Sequence, residues 1–206
     1  ASNLKLAETP TGWKVGDQLV LGGTNSNYAG DFVTNAKYHD EILTITSISG
    51  KTIYFTNNAA GGTTLQYEHK MPTGYGLKIY AANLTRNVIF ESENFASIPI
   101  DQRGHIMLMH NLAQSISYAA FNGLGRTNKD ILATDPVVND MGMQVSGGSN
   151  VRGRYPIHMH KAGTNNILAV PTLIKGNAIV DPTSWGIVNH QSNANIDDNV
   201  VFDFFG

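Results

Sequence analysis

The chain has 206 residues, enough for one sizeable core or for one elongated solenoid with a small flanking unit. Charged residues are 15% of it and the formal net charge is -2, so no long-range field gathers nucleic acid or an anionic membrane, and a polyanion needs a local basic patch. There is no cysteine, which excludes disulfides and thiolate metal sites, and no run approaches the roughly 18 apolar residues of a membrane span.

The first residues lack the basic and apolar regions of a signal peptide, so the chain reads as a processed or excised piece. Val, Ile, Thr, Tyr and Phe fall in short runs separated by Gly and Asn, the pattern of short strands joined by tight turns. Residues 18–21, 41–48 and 52–55 are three such runs, and Ser49-Gly50-Lys51 is a hairpin turn between the last two. Residues 1–83 are therefore expected to be an antiparallel β-rich lead-in packed on the remainder of the chain.

From Leu84 the chain becomes self-similar. Residues 87–91, 118–122, 177–181 and 199–203 share one template, Asn177 and Asn199 open its last two copies, and Ile174 and Ile196 precede these by three residues. A spacing of 22 residues suits one coil of a solenoid, and Asn at equivalent positions of successive coils can stack amide on amide. A second ladder precedes the first, at residues 107–110, 157–160 and 187–190. To keep register the middle coil needs an insertion, placed at residues 162–168. Residues 123–153, rich in Gly, Asn and Asp, read as a long loop leaving the coil and walling a cleft. The expected fold is thus all-β, a right-handed parallel β-helix over residues 84–206 preceded by the small antiparallel segment. The apolar residues 200–205 resemble an uncovered edge, so more β-helix of the same protein is expected beyond residue 206.

Side chains alternate across a strand, and equivalent residues of neighbouring coils lie about 4.8 Å apart. With Met107, Met109, Ile157, Met159 and Ile187 assigned to the interior, His110, His158, His160 and His190 share the outer face. Imidazoles two apart on one strand, joined by a third from the next coil, can reach one divalent ion at about 2.0–2.1 Å, and zinc, nickel, copper or iron suits such a set. The competing explanation is a polar face of hydrogen-bonded imidazoles. His158, His160, Arg154 and Tyr155 are the catalytic candidates. Arg152, Arg154, Tyr155 and Trp185 are the candidates for substrate binding, since Arg can hold a carboxylate and an aromatic ring can stack on a sugar. Trp13 is expected to pack in a core. Asp181 and Asp203, at equivalent positions of adjacent coils, have the spacing of a retaining glycosidase pair or serve as turn formers. Asn83-Leu84-Thr85 has the form of a glycosylation acceptor.

Residues 12–21 (Gly-Trp-Lys-Val-Gly-Asp-Gln-Leu-Val-Leu), 84–88 (Leu-Thr-Arg-Asn-Val), 104–109 (Gly-His-Ile-Met-Leu-Met) and 153–160 (Gly-Arg-Tyr-Pro-Ile-His-Met-His) resemble, in this order, the region after the G8 domain in one family. That family holds the cell-migration-inducing hyaluronan-binding protein, transmembrane protein 2 and the fibrocystin-like proteins. Gly-Arg-Tyr-Pro-x-His-x-His is the most specific element. The resemblance implies an extracellular parallel β-helix and, in the animal members, a link to binding or breaking down hyaluronan. The G8 domain itself and the cysteines of the animal proteins are missing, which marks a bacterial or distant relative.

The leading expectation is a secreted or cell-surface module that binds or depolymerises a polysaccharide, hyaluronan-like or another acidic glycan. Its hydrolase or lyase chemistry would sit at the histidine face, without nucleic acid and without membrane insertion. The alternatives are a structural or adhesin segment with no catalysis, and a metal-dependent enzyme that does not act on glycans.

Overall fold

The computed structural model describes residues 1–24, 39–71, 73–74, 76–110, 113–163, 168 and 170–203. The chain divides into two compact units, Ala1–Thr85 and Arg86–Gly206.

The first unit is one antiparallel sheet of β1 (Asn3–Lys5), β2 (Gln18–Leu21), β3 (Glu41–Ser49), β4 (Thr52–Asn57) and β5 (Ala81–Asn83), in the order β1-β4-β3-β2-β5. The turn between β3 and β4 is a two-residue connection in which Gly50 alone takes a positive φ, the type that matches strand twist in a hairpin. Alternation along β3 and β4 turns Leu43, Ile45, Ile53 and Phe55 into one core with Leu19 and Leu21, and Trp13 packs against it as expected. Each fully buried side chain of this kind contributes about 1.5–3 kcal/mol. Glu41 is buried at one edge of this core. Burial pushes its carboxyl up, but donors from the Gln66 amide, His69, the Tyr67 amide and Asn57 together hold it below the usual range. Asn83 is also buried and its amide donates to Asp17 at 2.7 Å, so the side chain that a glycan would need is not presented to solvent.

The second unit is a parallel β-helix. Its strands are β6 (Ile89–Glu91), β7 (Ile106–Met109), β8 (Ser115–Ser117), β9 (Ala120–Asn122), β12 (Ile157–His160), β13 (Thr172–Lys175), β14 (Ala178–Val180), β15 (Ile187–His190), β16 (Ala194–Asp197) and β17 (Val200–Phe202). They stack as three parallel sheets, β7-β12-β15, β8-β13-β16 and β6-β9-β14-β17. Inside, Phe121, Ile179 and Val201 occupy one register position of successive coils and Ile116 and Ile174 another; Phe90 and Ile196 continue these rows on edge strands and are about half exposed. The rings of Phe90 and Phe121 stack at 5.3 Å.

The corners repeat as faithfully as the strands. His110, Lys161 and Gln191 have φ of 58°, 51° and 48°, and Tyr118 and Asp198 share the left-handed region with Gly176 between them. Gly123, Asp181 and Asp203 form the third such row, so the last two are turn residues in equivalent places. A left-handed residue turns the chain from one sheet into the next within one step, and repetition at every coil outweighs its steric cost of roughly 1–2 kcal/mol.

Asn177 is fully buried and behaves as a stacked ladder residue. Its amide donates to Asn199 Oδ1 at 2.9 Å and to the Ile116 carbonyl at 2.9 Å, while its own Oδ1 accepts from the Ala119 amide at 3.0 Å. The two earlier copies of the template sit one residue out of the expected alignment: Ala120 pairs with Ala178, which places Ala119 and Val88, not Tyr118 and Asn87, over Asn177. Most of the insertion expected at residues 162–168 lies outside the described residues.

Within residues 123–153, Gly123 and Leu124 still belong to the coil, and the excursion that follows is not irregular throughout. It carries a small antiparallel pair, β10 (Val137–Val138) and β11 (Gln144–Ser146). Buried Asn150 pins the base of this excursion, donating to the carbonyls of Asn128, Ile131 and Leu132 and accepting from the Asn128 amide at 2.8 Å.

Candidate metal centre

The outer face of the β7-β12-β15 sheet holds the histidines. Register pairs His158 with Met107 on one side and Val188 on the other, and His160 with Met109 and His190. Ile157 and Met159 point inward and are fully buried. Two expectations are corrected here. Ile106 and Leu108, not Met107 and Met109, pack against the solenoid core. His110 therefore lies one residue beyond the strand position that faces His160, at the left-handed corner in line with Lys161 and Gln191. It remains near enough to disfavour protonation of His160. Because Ile106-Met107-Leu108-Met109 is apolar at all four positions, alternation gives no phase, and a one-residue slip exchanges the two faces.

His158, His160 and His190 each offer one ring nitrogen, and these three atoms lie within 4.8 Å of one another. The Nδ1 atoms of His160 and His190 are 3.0 Å apart, so one donates to the other in the free protein. A tetrahedral zinc site spaces its ligand nitrogens about 3.3 Å apart; only His158 has to close in.

His158 differs from the other two. It is 3% exposed, because the end of the 123–153 excursion covers a face that strand alternation alone would leave in solvent. Its Nδ1 lies 2.7 Å from the Gly153 carbonyl. A carbonyl only accepts, so Nδ1 carries the proton and Nε2 carries the lone pair. That Nε2 is buried and has no hydrogen-bond partner among the described residues. Burial, with His190 and Arg154 acting in the same direction, keeps the ring below its ordinary pKa against the opposing Gly153 bond. The pKa of His160 is lowered too, by burial first and then by His158 and His190. A neutral imidazole, oriented by a carbonyl on one nitrogen and presenting an unengaged lone pair on the other, is what a divalent ion requires of its ligands. The three residues fit a transition ion.

Tyr155 is 9% exposed and sits between His158, edge-on with centroids 5.4 Å apart, and Trp185, stacked at 5.6 Å. Trp185 is 49% exposed, with the Lys129 ammonium 4.3 Å from its ring centroid. Lys129 also reaches the Tyr155 hydroxyl at 3.5 Å. Arg152 is engaged elsewhere, its guanidinium paired with Asp135 at 2.7 Å. Asp181 is 3.5 Å from Arg103.

Two basic residues absent from the sequence-derived set stand beside this centre. The segment holding His105 bonds to the chain on both sides, through the Gly125 amide to the Gly104 carbonyl at 2.7 Å and the Ile106 amide to the Pro156 carbonyl at 3.0 Å. The Arg126 amide donates to the Arg154 carbonyl at 2.8 Å. His105, Arg126 and Arg154 are thereby gathered from three separated stretches. Burial pushes the His105 ring down to about 4, with Arg126, Arg154 and His158 adding to the effect.

Comparison with known proteins agrees with this architecture. A family model described as the CEMIP beta-helix matches residues 133–206, the stretch that carries all three histidines. Over most of its length the chain is distantly related to proteins of Dictyostelium discoideum. A G8 domain-containing protein is 27% identical over 198 residues, covering 94% of this chain and 10% of the relative. Communication mutant protein F is 27% identical over 197 residues, covering 94% of this chain and 14% of its own length. A second G8 domain-containing protein is 29% identical over 168 residues, 79% of this chain and 11% of the relative. The chain thus spans about a tenth of the curated relatives it matches. The resemblance read from the sequence holds, as does the β-helix fold it implied.

Proposed function

We propose that this chain is the metal-binding, polysaccharide-handling β-helix module of a larger secreted or cell-surface protein. In this reading His158, His160 and His190 hold a divalent transition ion against which an acidic glycan is bound or depolymerised. The observation that carries the proposal is His158: a neutral, buried imidazole with Nδ1 fixed by the Gly153 carbonyl and Nε2 enclosed without a hydrogen-bond partner among the described residues. A buried nitrogen left without a partner costs about 1–3 kcal/mol, a cost that a ligand at that position removes.

An ion in this place supplies positive charge that polarises a carboxylate or a bound water. The protein's own parts are to keep His158 neutral, to hold His160 and His190 within reach, and to present Trp185 and Lys129 at the rim, where a sugar ring meets an exposed indole face and a cation. Arg154 lies close enough to His158 to disfavour its protonation, which places a fixed positive charge next to the centre.

Metal analysis and zinc titration of the untagged chain test this reading, together with retention and cleavage of acidic polysaccharides. Stoichiometric metal is expected, with affinity reduced at least 100-fold in His158→Ala and His160→Ala and changed less than threefold in His110→Ala. Metal-free protein, or glycan retention and cleavage unaffected by the double substitution, refutes the proposal.

A further inference from the structure

The second unit contains all five arginines of the chain, and they fall into two groups. Three have evident structural partners: Arg86 donates to the Gly176 carbonyl at 2.8 Å, Arg103 reaches the Phe95 carbonyl at 2.7 Å and Asp181, and Arg152 pairs with Asp135. The guanidinium groups of Arg126 and Arg154 have none among the described residues, although both side chains are half-buried and the Arg154 Nε is fully enclosed. Half-buried guanidiniums without a counter-ion are costly, and more so as a pair brought together by one backbone hydrogen bond.

We propose that Arg126, Arg154 and His105 form a subsite for an oxyanion carried on a sugar ring, a uronate carboxylate or a sulfate ester, immediately beside the histidine centre. The site is built by backbone rather than by mobile side chains, because the hydrogen bonds Gly125 to Gly104, Arg126 to Arg154 and Ile106 to Pro156 fix the three segments to one another. The Arg154 amide is held in addition by Thr127 Oγ1 at 3.0 Å, and Thr127 is itself buried and donates to the Val151 carbonyl at 2.7 Å. His105 is neutral at neutral pH and so offers one N–H without adding a third charge. Two guanidinium forks and an imidazole N–H match the several lone pairs of an oxyanion, and the ion pairs form where solvent screening is reduced. Arg154, Tyr155 and Pro156 lead directly into the strand that bears His158 and His160, so a ligand seated on the arginines extends over the histidines. The glycan reading enters only in naming the carrier of the anion; the subsite itself stands on the two unpaired arginines.

The test uses the whole metal-free chain and follows the His105 ring resonances by NMR while sodium glucuronate, sodium sulfate or neutral glucose is added at constant ionic strength. A saturable shift is expected with glucuronate or with sulfate and none with glucose; which anion gives it identifies carboxylate or sulfate ester. Arg126→Gln and Arg154→Gln are each expected to weaken that response at least tenfold, with zinc affinity of the Arg126→Gln chain changed less than threefold. Should Arg154→Gln fail to fold, Arg126→Gln decides alone. No saturable response to either anion, or one unaltered in Arg126→Gln, overturns the subsite. Retention on a polyuronate and on a sulfated neutral glycan is measured separately. Loss of both with the monosaccharide response intact refutes the glycan reading and leaves the subsite standing.

Discussion

Replacing His105 by Gln should remove a specific pH dependence from the stability of this chain. In the folded protein burial and the neighbouring guanidiniums push the ring down to about 4 from an ordinary value of 6.5. Between these values the unfolded chain holds a proton that the folded chain does not, so stability rises with pH across the window. The contribution is fully present above 6.5 and is lost as pH falls towards about 4. At roughly 1.4 kcal/mol per pH unit the full loss is about 3.5 kcal/mol, and partial exposure of the ring brings the expectation to about 2–3 kcal/mol. Urea unfolding of the wild-type chain and of His105→Gln, at about pH 7.5 and about pH 4.5 in buffers free of carboxylates and phosphate, isolates this contribution. Every other titrating group, His158 and His160 included, is common to both proteins. The substitution should be destabilising or neutral at the higher pH and relatively stabilising by about 2 kcal/mol at the lower. A difference between the two proteins that stays constant with pH to within about 0.5 kcal/mol would show that His105 is not held neutral by its surroundings.

Two further substitutions test the ladder and the support of the metal centre. Asn177→Ala leaves the Ala119 amide and the Ile116 carbonyl without their side-chain partner inside the β-helix. A loss of about 2–4 kcal/mol is expected in urea unfolding, against about 1–2 kcal/mol for the less buried Asn199→Ala. Gly153→Ala places a β-carbon 3.2 Å from His158 Cε1 at a residue whose φ is +77°. The carbonyl that orients His158 must shift, so zinc affinity measured by competition with a chelator should drop about 10- to 100-fold while the far-ultraviolet spectrum stays β-rich.

The β-helix was legible because its determinants are local and repeated. Asn177 and Asn199, 22 residues apart, stack as their spacing implied, and the Ile ladder through Ile174 and Ile196 closes behind them. Alignment between distant coils was less legible. Ala119-Ala120-Phe121 and Ala178-Ile179-Val180 are apolar at successive positions, so the template slides by one residue without changing its hydrophobic count, and backbone pairing alone selects the frame. The corner rows were not visible at all, since His110, Lys161, Gln191, Tyr118 and Asp198 have no side-chain chemistry in common. What they share is a left-handed backbone imposed by the coil.

The same distinction separates the legible from the illegible parts of the site. His158 and His160 announce themselves by an i, i+2 spacing on a strand whose alternate residues, Ile157 and Met159, are plainly core. His190 joins them because β15 runs parallel to β12 in unbroken register. His110 was placed with them by its position at the end of a similar string, yet β7 is apolar on both faces and its final Met, not the His, occupies the matching rung. Arg126 gave no signal because nothing in its local sequence differs from a solvated loop, and His105, although inside the motif at residues 104–109, has no spacing to another polar residue that marks it as part of a site. Their meaning comes from three backbone hydrogen bonds between stretches up to about 50 residues apart. His158 shows the consequence most sharply. Alternation predicts an exposed outer-face histidine, but the chain that leaves the coil after β9 returns across it, buries the ring and fixes its tautomer through Gly153. A strand motif thereby becomes a candidate metal centre only through the loop that covers it, so exchanging that loop while leaving every histidine in place should abolish metal binding as completely as removing His158 itself.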